Sequence, residues 1–456
     1  MGRALRILVL SVPIGAGHHR AAEGLCEAIR LRRPGTQWEI LDALRYLGPD
    51  GGELAKQLYF GVLEEVPDLW GALYEQRGLS GALRPAGELV DELRVRALVP
   101  EVDRFAPDVI LAMHPFAVGL ASALRRTGRA RCPVVAVLTD FDAHPAWIGR
   151  GVDLYLAATF RMVESLEALG LPTGSAIASG IPLRPAFATV RETKNAKEQL
   201  GLDPSRFTIL LLGGGLGLGP IGEVARTLAQ SDLRGSSEAE LAPRPTDARP
   251  LSPRRGERQG EGRVTCEIQL VLIAGKNREL ETSARAWAKD ARVPVVVTGL
   301  VENVWDYVSA ADVAIGKPGG LTCAELLAGG VPLIALDPIP GQEQANCEAL
   351  AAEGAAFLAR DVAAARDAVT RLLRSPEERD RMRAAASRLG RPRAAELGAS
   401  HVLALLDEWK PEPARVAAAR PKNVVDRVTR DVGREIGSGV DAIEDELRRL
   451  RKKLGM

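Results

Sequence analysis

The chain has 456 residues, of which 46% are hydrophobic and 26% are charged, and its formal net charge is +1. That length exceeds one ordinary hydrophobic core and predicts two domains with appendages, and the composition is typical of a soluble globular protein. The near-zero net charge gives no reason to expect a nucleic acid partner. The five cysteines include no Cys-x-x-Cys pair. This argues against a disulfide framework or structural zinc and indicates a reducing compartment.

The amino-terminal residues predict a strand rather than a signal peptide. Met1-Gly2-Arg3 leads directly into the apolar run Ile7–Leu10, without the longer apolar region of a secretory signal. No apolar stretch reaches the roughly 18 residues that a bilayer-spanning helix needs. We therefore expect a cytoplasmic protein that can contact a membrane only from its surface.

Short β-type runs alternate with amphipathic segments of helical length along most of the chain. In the first half these runs are Ile7–Leu10, Val109–Met113, Val134–Thr139, Leu154–Ala157 and Ile177–Ala178. The rhythm restarts with Ile209–Leu212, Leu270–Ile273, Val295–Val297, Val313–Ile315 and Leu333–Leu336. Such alternation predicts parallel sheets covered by helices on both faces. Because a proline-rich and then polar segment separates the halves, we predict two Rossmann-like domains, 1–188 and 189–410.

Two segments do not follow this rhythm. Residues 231–263 are rich in Pro, Arg, Ser, Glu and Gly and are predicted to form a disordered surface insertion. Residues 411–456 are predicted to form a linker and an amphipathic helix with a basic end at 448–453. This helix suits packing on its own domain, self-association with another copy, or contact with an anionic lipid surface.

Each half carries a glycine-rich turn after its first strand, where ligands bind in doubly wound sheets. The first turn is Gly15-Ala16-Gly17-His18 and the second is Gly213–Pro220. Glycines let backbone N–H groups approach a phosphate closely. A Gly-x-Gly-x-x-Gly match at 217–222 is weak, because the acidic ribose-binding residue would fall in the insertion, and Arg20 takes the third glycine position of the first turn. Hydride chemistry is therefore disfavoured. A Walker-type loop is excluded, since neither turn is followed by Gly-Lys-Ser/Thr.

The most informative stretch reads GKPGGLTCAE from position 316 and PIPGQEQAN from position 338. Gly319-Gly320 opens a predicted helix after a strand, so its free N–H groups and the Thr322 hydroxyl can hold a diphosphate. Glu325 lies on the next turn of that helix, where it can accept hydrogen bonds from ribose hydroxyls. A second polar cluster can bind the hydroxyls of a sugar: Gln342, Glu343 and Asn346.

These motifs resemble those of a known family. KPGGLTCAELLAGGVPLIALDPIPGQEQAN is similar to the donor-site motif of the glycosyltransferases that include monogalactosyldiacylglycerol synthase and bacterial processive diacylglycerol glucosyltransferase. These belong to glycosyltransferase family 28 and are relatives of the peptidoglycan N-acetylglucosaminyl transferase. Further similarity, in the family's order, extends over about residues 5–360, in VLSVPIGAGHHRAAEGL, PDLWGALYE, VLTDFDAHPAWIGRGVDLYLAAT, SGIPLRPAF and LLLGGGLGLGP. The insertion and the carboxyl-terminal segment are not part of it.

The resemblance implies a GT-B fold, in which two Rossmann-like domains face each other across a cleft. It implies an inverting, metal-independent transfer of a hexose from UDP-glucose or UDP-galactose to diacylglycerol at the cytoplasmic membrane face, without a cofactor. Consistently, the one Asp-x-Asp sequence near a strand end, Asp140-Phe141-Asp142, lies away from the donor motifs. The resemblance assigns donor binding to Gly214, Gly215, Lys317, Gly319, Gly320, Leu321, Thr322, Glu325, Gln342, Glu343 and Asn346.

Inversion by one in-line displacement requires a base for the acceptor hydroxyl. His18 matches the family's histidine, and a neutral imidazole suits that task near pH 7. Asp140 also matches and is a second catalytic candidate that could orient the imidazole. His19 falls where the family varies. We expect no metal site at the histidine pair, because adjacent side chains diverge and no third ligand is evident.

The acceptor side is predicted to include Gly17, His144, Trp147 and Trp70. The segment 59–74 concentrates aromatic residues that suit a lipid headgroup interface, although an ordinary pair of core helices fits it as well. Two other functions stay open. One keeps the UDP-sugar donor with another lipid-linked or small hydroxyl acceptor, and the other is a UDP-sugar sensor without turnover.

Overall fold

The computed structural model describes residues 3–13, 16–47, 95–189, 192–215, 217, 219–231 and 267–410. Several predictions lie outside the described residues: nearly all of the insertion at 231–263, the carboxyl-terminal segment 411–456, and the aromatic segment with Trp70. None of the helices in the described part of the chain has the length and hydrophobicity that a bilayer-spanning segment requires.

The first domain is built on a parallel sheet. Its strands are β1 Arg6–Ser11, β2 Gln37–Asp42, β3 Val109–Ala112, β4 Val134–Val137, β5 Leu154–Leu156 and β6 Ala176–Ile177, in the order β2-β1-β3-β4-β5-β6. Its helices are α1 Gly17–Arg32, α2 at 95–105, α3 Pro115–Arg126 and α4 Phe160–Ala168. Ile7–Leu10 and Val109–Ala112 are fully buried, as strands covered by helices on both faces must be.

The second domain repeats this architecture. Its strands are β7 Phe207–Leu212, β8 Ile268–Ile273, β9 Val295–Thr298, β10 Val313–Gly316, β11 Leu333–Leu336 and β12 Ala356–Ala359, in the order β12-β11-β10-β7-β8-β9. This is the strand order of dinucleotide-binding domains. Its helices are α5 Thr193–Gln199, α6 Ile221–Gln230, α7 Arg278–Trp287, α8 Val304–Ala310, α9 Gly320–Ala328, α10 Gln342–Ala352, α11 Val362–Arg374, α12 Pro376–Leu389 and α13 Ala394–Glu408.

The strand order reverses at one point in each sheet, and ligands bind beyond the carboxyl ends of the strands at such points. In the first sheet the point lies between β1 and β3. The segment after β1 leads to His18 in the first turn of α1, and the segment after β3 leads to His114. In the second sheet it lies between β7 and β10, which lead into Gly213–Gly215 and Lys317–Gly320. The fold therefore brings the predicted motifs of both domains to the ends where ligands bind.

The last described helix, α13, packs on the first domain against α1 and β5. The guanidinium of Arg33, the C-cap residue of α1, lies 2.8 Å from the Asp407 carboxylate. A Cβ atom added at Gly398 would lie 3.2 Å from methyl carbons of both Leu156 and Leu25, so glycine permits the close approach. The predicted boundaries group this helix with the second domain, whereas its packing joins it to the first.

Candidate active site

His18 lies in the first turn of α1, which begins directly after the glycine-rich turn that follows β1. Its Nδ1 atom is 2.8 Å from the Thr139 hydroxyl, and the ring also makes a hydrogen bond with the Met113 backbone. Burial lowers the pKa of His18 from 6.5 to about 4, and the bond with Met113 opposes this shift only in part. The imidazole is therefore neutral near pH 7, the form that can accept a proton.

A second histidine, which the sequence analysis did not single out, lies against the first. The rings of His18 and His114 have centroids 5.3 Å apart and meet edge to face at 89°. Nδ1 of His114 accepts a hydrogen bond from the Phe116 amide at 3.2 Å and caps α3, so the neutral ring carries its proton on Nε2. Burial, and then the proximity of His18, lower the pKa of His114 to about 3. Its position directly after β3 is the signal that could have identified it.

Asp140 is buried on the loop after β4, with 4% of its surface exposed. Its carboxylate accepts hydrogen bonds from Gln342, Asn346 and Trp147. Burial raises the pKa of Asp140 from 3.8 to about 6, against the effect of these bonds. The expectation that Asp140 orients the imidazole is not met, because the side chain bonded to His18 is that of the neighbouring Thr139.

Two members of the predicted sugar-binding cluster join the domains in this structure. Gln342 donates to Asp140 across the domain interface. Asn346 is fully buried, accepts from the Phe141 amide at 2.7 Å and donates to the Pro318 carbonyl at 3.2 Å. The third member, Glu343, accepts from the amide of Ile339 at 3.0 Å and lies 4.0 Å from the Lys317 ammonium.

The amino terminus of α9 approaches the first domain very closely. Gly319 is its N-cap and no side chain caps the helix there. A Cβ atom added at Gly320 would lie 1.7 Å from the Thr139 carbonyl oxygen, so only glycine fits. One added at Gly17 would lie 3.5 Å from Leu321. The first N–H groups of α9 and the turn that carries His18 are thus side by side.

A cleft between the domains adjoins this contact, and we call it the donor cleft. Its lining includes Ala16, Gly17 and Arg20 from the first domain, and Gly214, Gly215, Leu300, Val301, Val304, Leu321, Thr322 and Glu325 from the second. Burial raises the pKa of Glu325 from 4.5 to about 7, and the positive charges of Arg20 and Arg184 oppose this shift. Five of the eleven predicted donor residues therefore line this cleft, namely Gly214, Gly215, Leu321, Thr322 and Glu325.

The second glycine-rich turn is packed against the loop that follows β8. Gly217 has φ of 65°, and a Cβ atom there would lie 2.2 Å from the Ala274 carbonyl oxygen. The amide of Lys276 donates to the Gly215 carbonyl at 3.1 Å. At the far end of the turn, the space beside Gly219 is filled by the Lys317 side chain, 3.1 Å from an added Cβ. This packing occupies backbone carbonyls of the turn.

Of the predicted acceptor-side residues that the structure describes, Gly17 lines the donor cleft, His144 is half-buried and Trp147 is buried. Trp147 is 1% exposed, bonds to Asp140, and its ring centroid is 6.5 Å from that of His114. His144 accepts from the Ala146 amide at 3.2 Å and caps the short helical turn Pro145–Trp147.

His19 points away from His18. It is 53% exposed and lies 3.5 Å from Glu23. The two adjacent histidines therefore do not face a common point.

The comparison with known families assigns the activity class. Residues 18–183 match the monogalactosyldiacylglycerol (MGDG) synthase family, and residues 266–389 match the glycosyl transferases group 1 family. The chain is a glycosyltransferase. This glycosyltransferase is similar to processive diacylglycerol beta-glucosyltransferase of Bacillus subtilis, with 27% identity over 83% of this chain and 89% of the relative. It is also similar to probable monogalactosyldiacylglycerol synthase 2 of Oryza sativa subsp. japonica, with 28% identity over 78% of this chain and 71% of the relative.

Solved structures confirm the predicted GT-B fold. MurG of Acinetobacter baumannii aligns with a TM-score of 0.55 and 16% identity, over 89% of this chain and 100% of that one. The calicheamicin glycosyltransferase CalG4 aligns with a TM-score of 0.52 and 15% identity, over 90% of this chain and 100% of that one. The predicted resemblance and the class of hexosyltransferase are confirmed by the family matches and relatives.

Proposed function

We propose that this glycosyltransferase transfers a hexose from UDP-glucose or UDP-galactose to diacylglycerol, with inversion and without a metal ion. The acceptor is taken from the relatives, whose names describe glucosyl or galactosyl transfer to diacylglycerol. The observation that carries the proposal is the close packing of the uncapped end of α9 on Thr139, whose hydroxyl is hydrogen-bonded to the neutral His18. It brings an anion-binding helix end and a proton acceptor to the same interface between the domains.

The donor diphosphate would bind at the amino terminus of α9. Helix N–H groups and the Thr322 hydroxyl can donate to phosphate oxygens, and the positive end of the helix dipole stabilises the charge. Gly214 and Gly215 add backbone groups to the lining of the same cleft. Glu325 would accept hydrogen bonds from the ribose, and Lys317 supplies a further positive charge. These donor roles rest on the motif resemblance and on the shared cleft.

In the chemical step, the acceptor hydroxyl oxygen would attack the anomeric carbon as the bond to the diphosphate breaks. The proton of the hydroxyl would pass to His18, and UDP would leave with the electron pair of the broken bond. Burial weakens His18 as a base, but the negative charge of a bound diphosphate nearby raises the pKa of an imidazole. One relative is named a beta-glucosyltransferase, and a β product from an α-linked nucleotide sugar requires inversion.

Metal independence is supported by how Asp140 is bonded. This residue begins the one Asp-x-Asp sequence near a strand end, and its carboxylate is buried and bonded to Gln342, Asn346 and Trp147. Neutralisation of the leaving diphosphate would then fall to main-chain N–H groups and cationic side chains.

A diacylglycerol acceptor would have to be reached from the membrane surface. We propose that the protein works at the cytoplasmic face of a membrane, with its first domain toward the lipid. Self-association through the carboxyl-terminal segment stays a prediction from the sequence.

The proposal is tested by incubating the purified protein with diacylglycerol liposomes, EDTA and one UDP-sugar at a time, namely UDP-glucose, UDP-galactose or UDP-N-acetylglucosamine. Mass spectrometry should detect a hexosyl diacylglycerol with one of the first two donors, and NMR should show a β linkage. Liposomes without diacylglycerol serve as the control. A product formed on another lipid would mean that diacylglycerol is not the acceptor. An α linkage would contradict inversion. UDP-sugar binding without any product would indicate a sensor.

A further inference from the structure

Arg20 is a cation that the first domain directs toward the donor cleft. It lies on α1, two residues after His18, and lines the donor cleft together with Gly215, Thr322 and Glu325. It also lines an adjoining cavity with Arg184 and Glu302. Arg20 occupies the position where a dinucleotide-binding turn has its third glycine. Neither that motif nor the donor-site motif assigns a role to an arginine at this position.

The guanidinium of Arg20 has no partner among the residues that the structure describes. No carboxylate oxygen there comes within the 4.0 Å of an ion pair, and no hydrogen bond forms. Arg184, its neighbour, differs: its guanidinium is 3.5 Å from Glu23 and 3.4 Å from Glu302. An arginine that is half-buried without a partner in a ligand cleft is available for an anion.

The charge balance of the cleft favours an anionic ligand at this place. The positive charge of Arg20 lowers the pKa of the Glu325 carboxyl, whereas burial raises this pKa and favours the neutral form. The facing wall presents the glycine backbone of Gly214-Gly215 and the uncapped end of α9. A phosphate between these walls would meet N–H donors on one side and a planar guanidinium, which binds two phosphate oxygens at once, on the other.

We propose that Arg20 binds the diphosphate of the nucleotide donor from the acceptor-side domain. The inference rests on the proposed function for the presence of a nucleoside diphosphate. Through this contact, residues of both domains would bind one diphosphate across the donor cleft. It also supplies a fixed positive charge to the leaving UDP in a site proposed to work without a metal ion.

The experiment measures dissociation constants of UDP, UMP and uridine by calorimetry for wild type, Arg20→Ala and Arg20→Lys. Arg20→Ala should weaken UDP binding by about 10- to 100-fold, the range for hydrogen bonds to charged groups, and leave uridine within about twofold. Arg20→Lys should be intermediate, since the charge remains and the two-oxygen geometry is lost. The control is Arg32→Ala, which removes the same charge from an exposed position about 18 Å further along α1.

Unchanged UDP affinity in Arg20→Ala, with wild type binding UDP, would overturn this inference and leave the proposed function intact. An equal loss of UDP and uridine affinity would also overturn it, because Arg20 would then act only through Glu325 or through folding. Wild-type protein that binds none of UDP, GDP and dTDP would overturn the nucleotide-sugar donor itself and the role of Arg20 with it. The thermal unfolding midpoint of each variant checks that it folds.

Discussion

The first turn of each domain occupies the same place in two similar sheets, yet the two turns present different chemistry. In the first domain the turn leads into α1 and presents an imidazole, held by Thr139 and by the backbone of Met113. In the second domain the corresponding turn presents glycine backbone, with Gly214 at φ of 65° and no side chain in the way. In the proposed function, the first sheet therefore supplies the proton acceptor and the second supplies anion-binding backbone.

Burial acts on both sides of the cleft in the same direction. It keeps His18 neutral by lowering its pKa and raises the pKa values of Asp140 and Glu325. Because burial favours the uncharged form of Glu325, it reduces the negative charge that lies beside Arg20 in the donor cleft near pH 7. This reduction favours the anionic ligand proposed for the cleft.

The largest effect is expected from His18→Gln, which removes the base from the first domain's turn. Transfer at saturating donor should fall by about 10²- to 10⁴-fold, the usual contribution of general base catalysis. The matched control is His19→Gln, one residue away, where the side chain is exposed and points toward Glu23. Equal losses in the two variants, measured as kcat with radiolabelled sugar, would contradict the assignment.

A smaller loss is expected from Gly320→Ala, which changes the second domain's backbone contact. The new methyl group would overlap the Thr139 carbonyl and push α9 away from the first domain. Misplacement of reacting groups by about 1 Å costs about 100-fold, and we expect a drop in kcat/KM of that order. Gly319→Ala should have a much smaller effect, because a Cβ atom there meets nothing within 4 Å. Similar losses in both variants would argue against the overlap.

The smallest effect is expected from Glu325→Gln, and it concerns stability. The folded-state pKa of Glu325, about 7, lies above its ordinary 4.5, so wild type loses stability as pH rises through this window. Glutamine cannot ionise and removes that loss. Urea unfolding at pH 5 and pH 8 should give a fall in unfolding free energy that is about 1–3 kcal/mol larger for wild type than for the variant. Equal falls in unfolding free energy for wild type and the variant would mean that burial does not raise the pKa of Glu325.

The sequence predicted the strands and turns better than it predicted side-chain partners. The buried central strands, such as Val109–Ala112, were predicted, whereas β2 and β12 were not. β2 lies at a sheet edge and carries polar residues along Gln37–Asp42, and β12 is a four-residue run of which half is alanine, a residue that is depleted in strands. The motifs at the strand ends followed from the βα rhythm, because parallel strands end at one edge of the sheet.

Contacts between residues far apart in the chain could not be predicted in this way. Thr139 reaches His18 only because the loop after β4 folds toward the end of β1. The bond of Gln342 to Asp140 depends on how the two domains meet. His114 lies beside His18 because their strands are neighbours in the sheet, an order that spacing alone does not reveal.

The division of chemistry between the two domains is tested most directly by the UDP affinity of His18→Gln, measured by calorimetry beside wild type and Gly320→Ala. The account predicts that His18→Gln binds UDP within about twofold of wild type, because the imidazole serves the acceptor, whereas Gly320→Ala loses about 10-fold or more. A loss of UDP affinity in His18→Gln as large as that in Gly320→Ala would contradict it. His18 would then belong to the donor site.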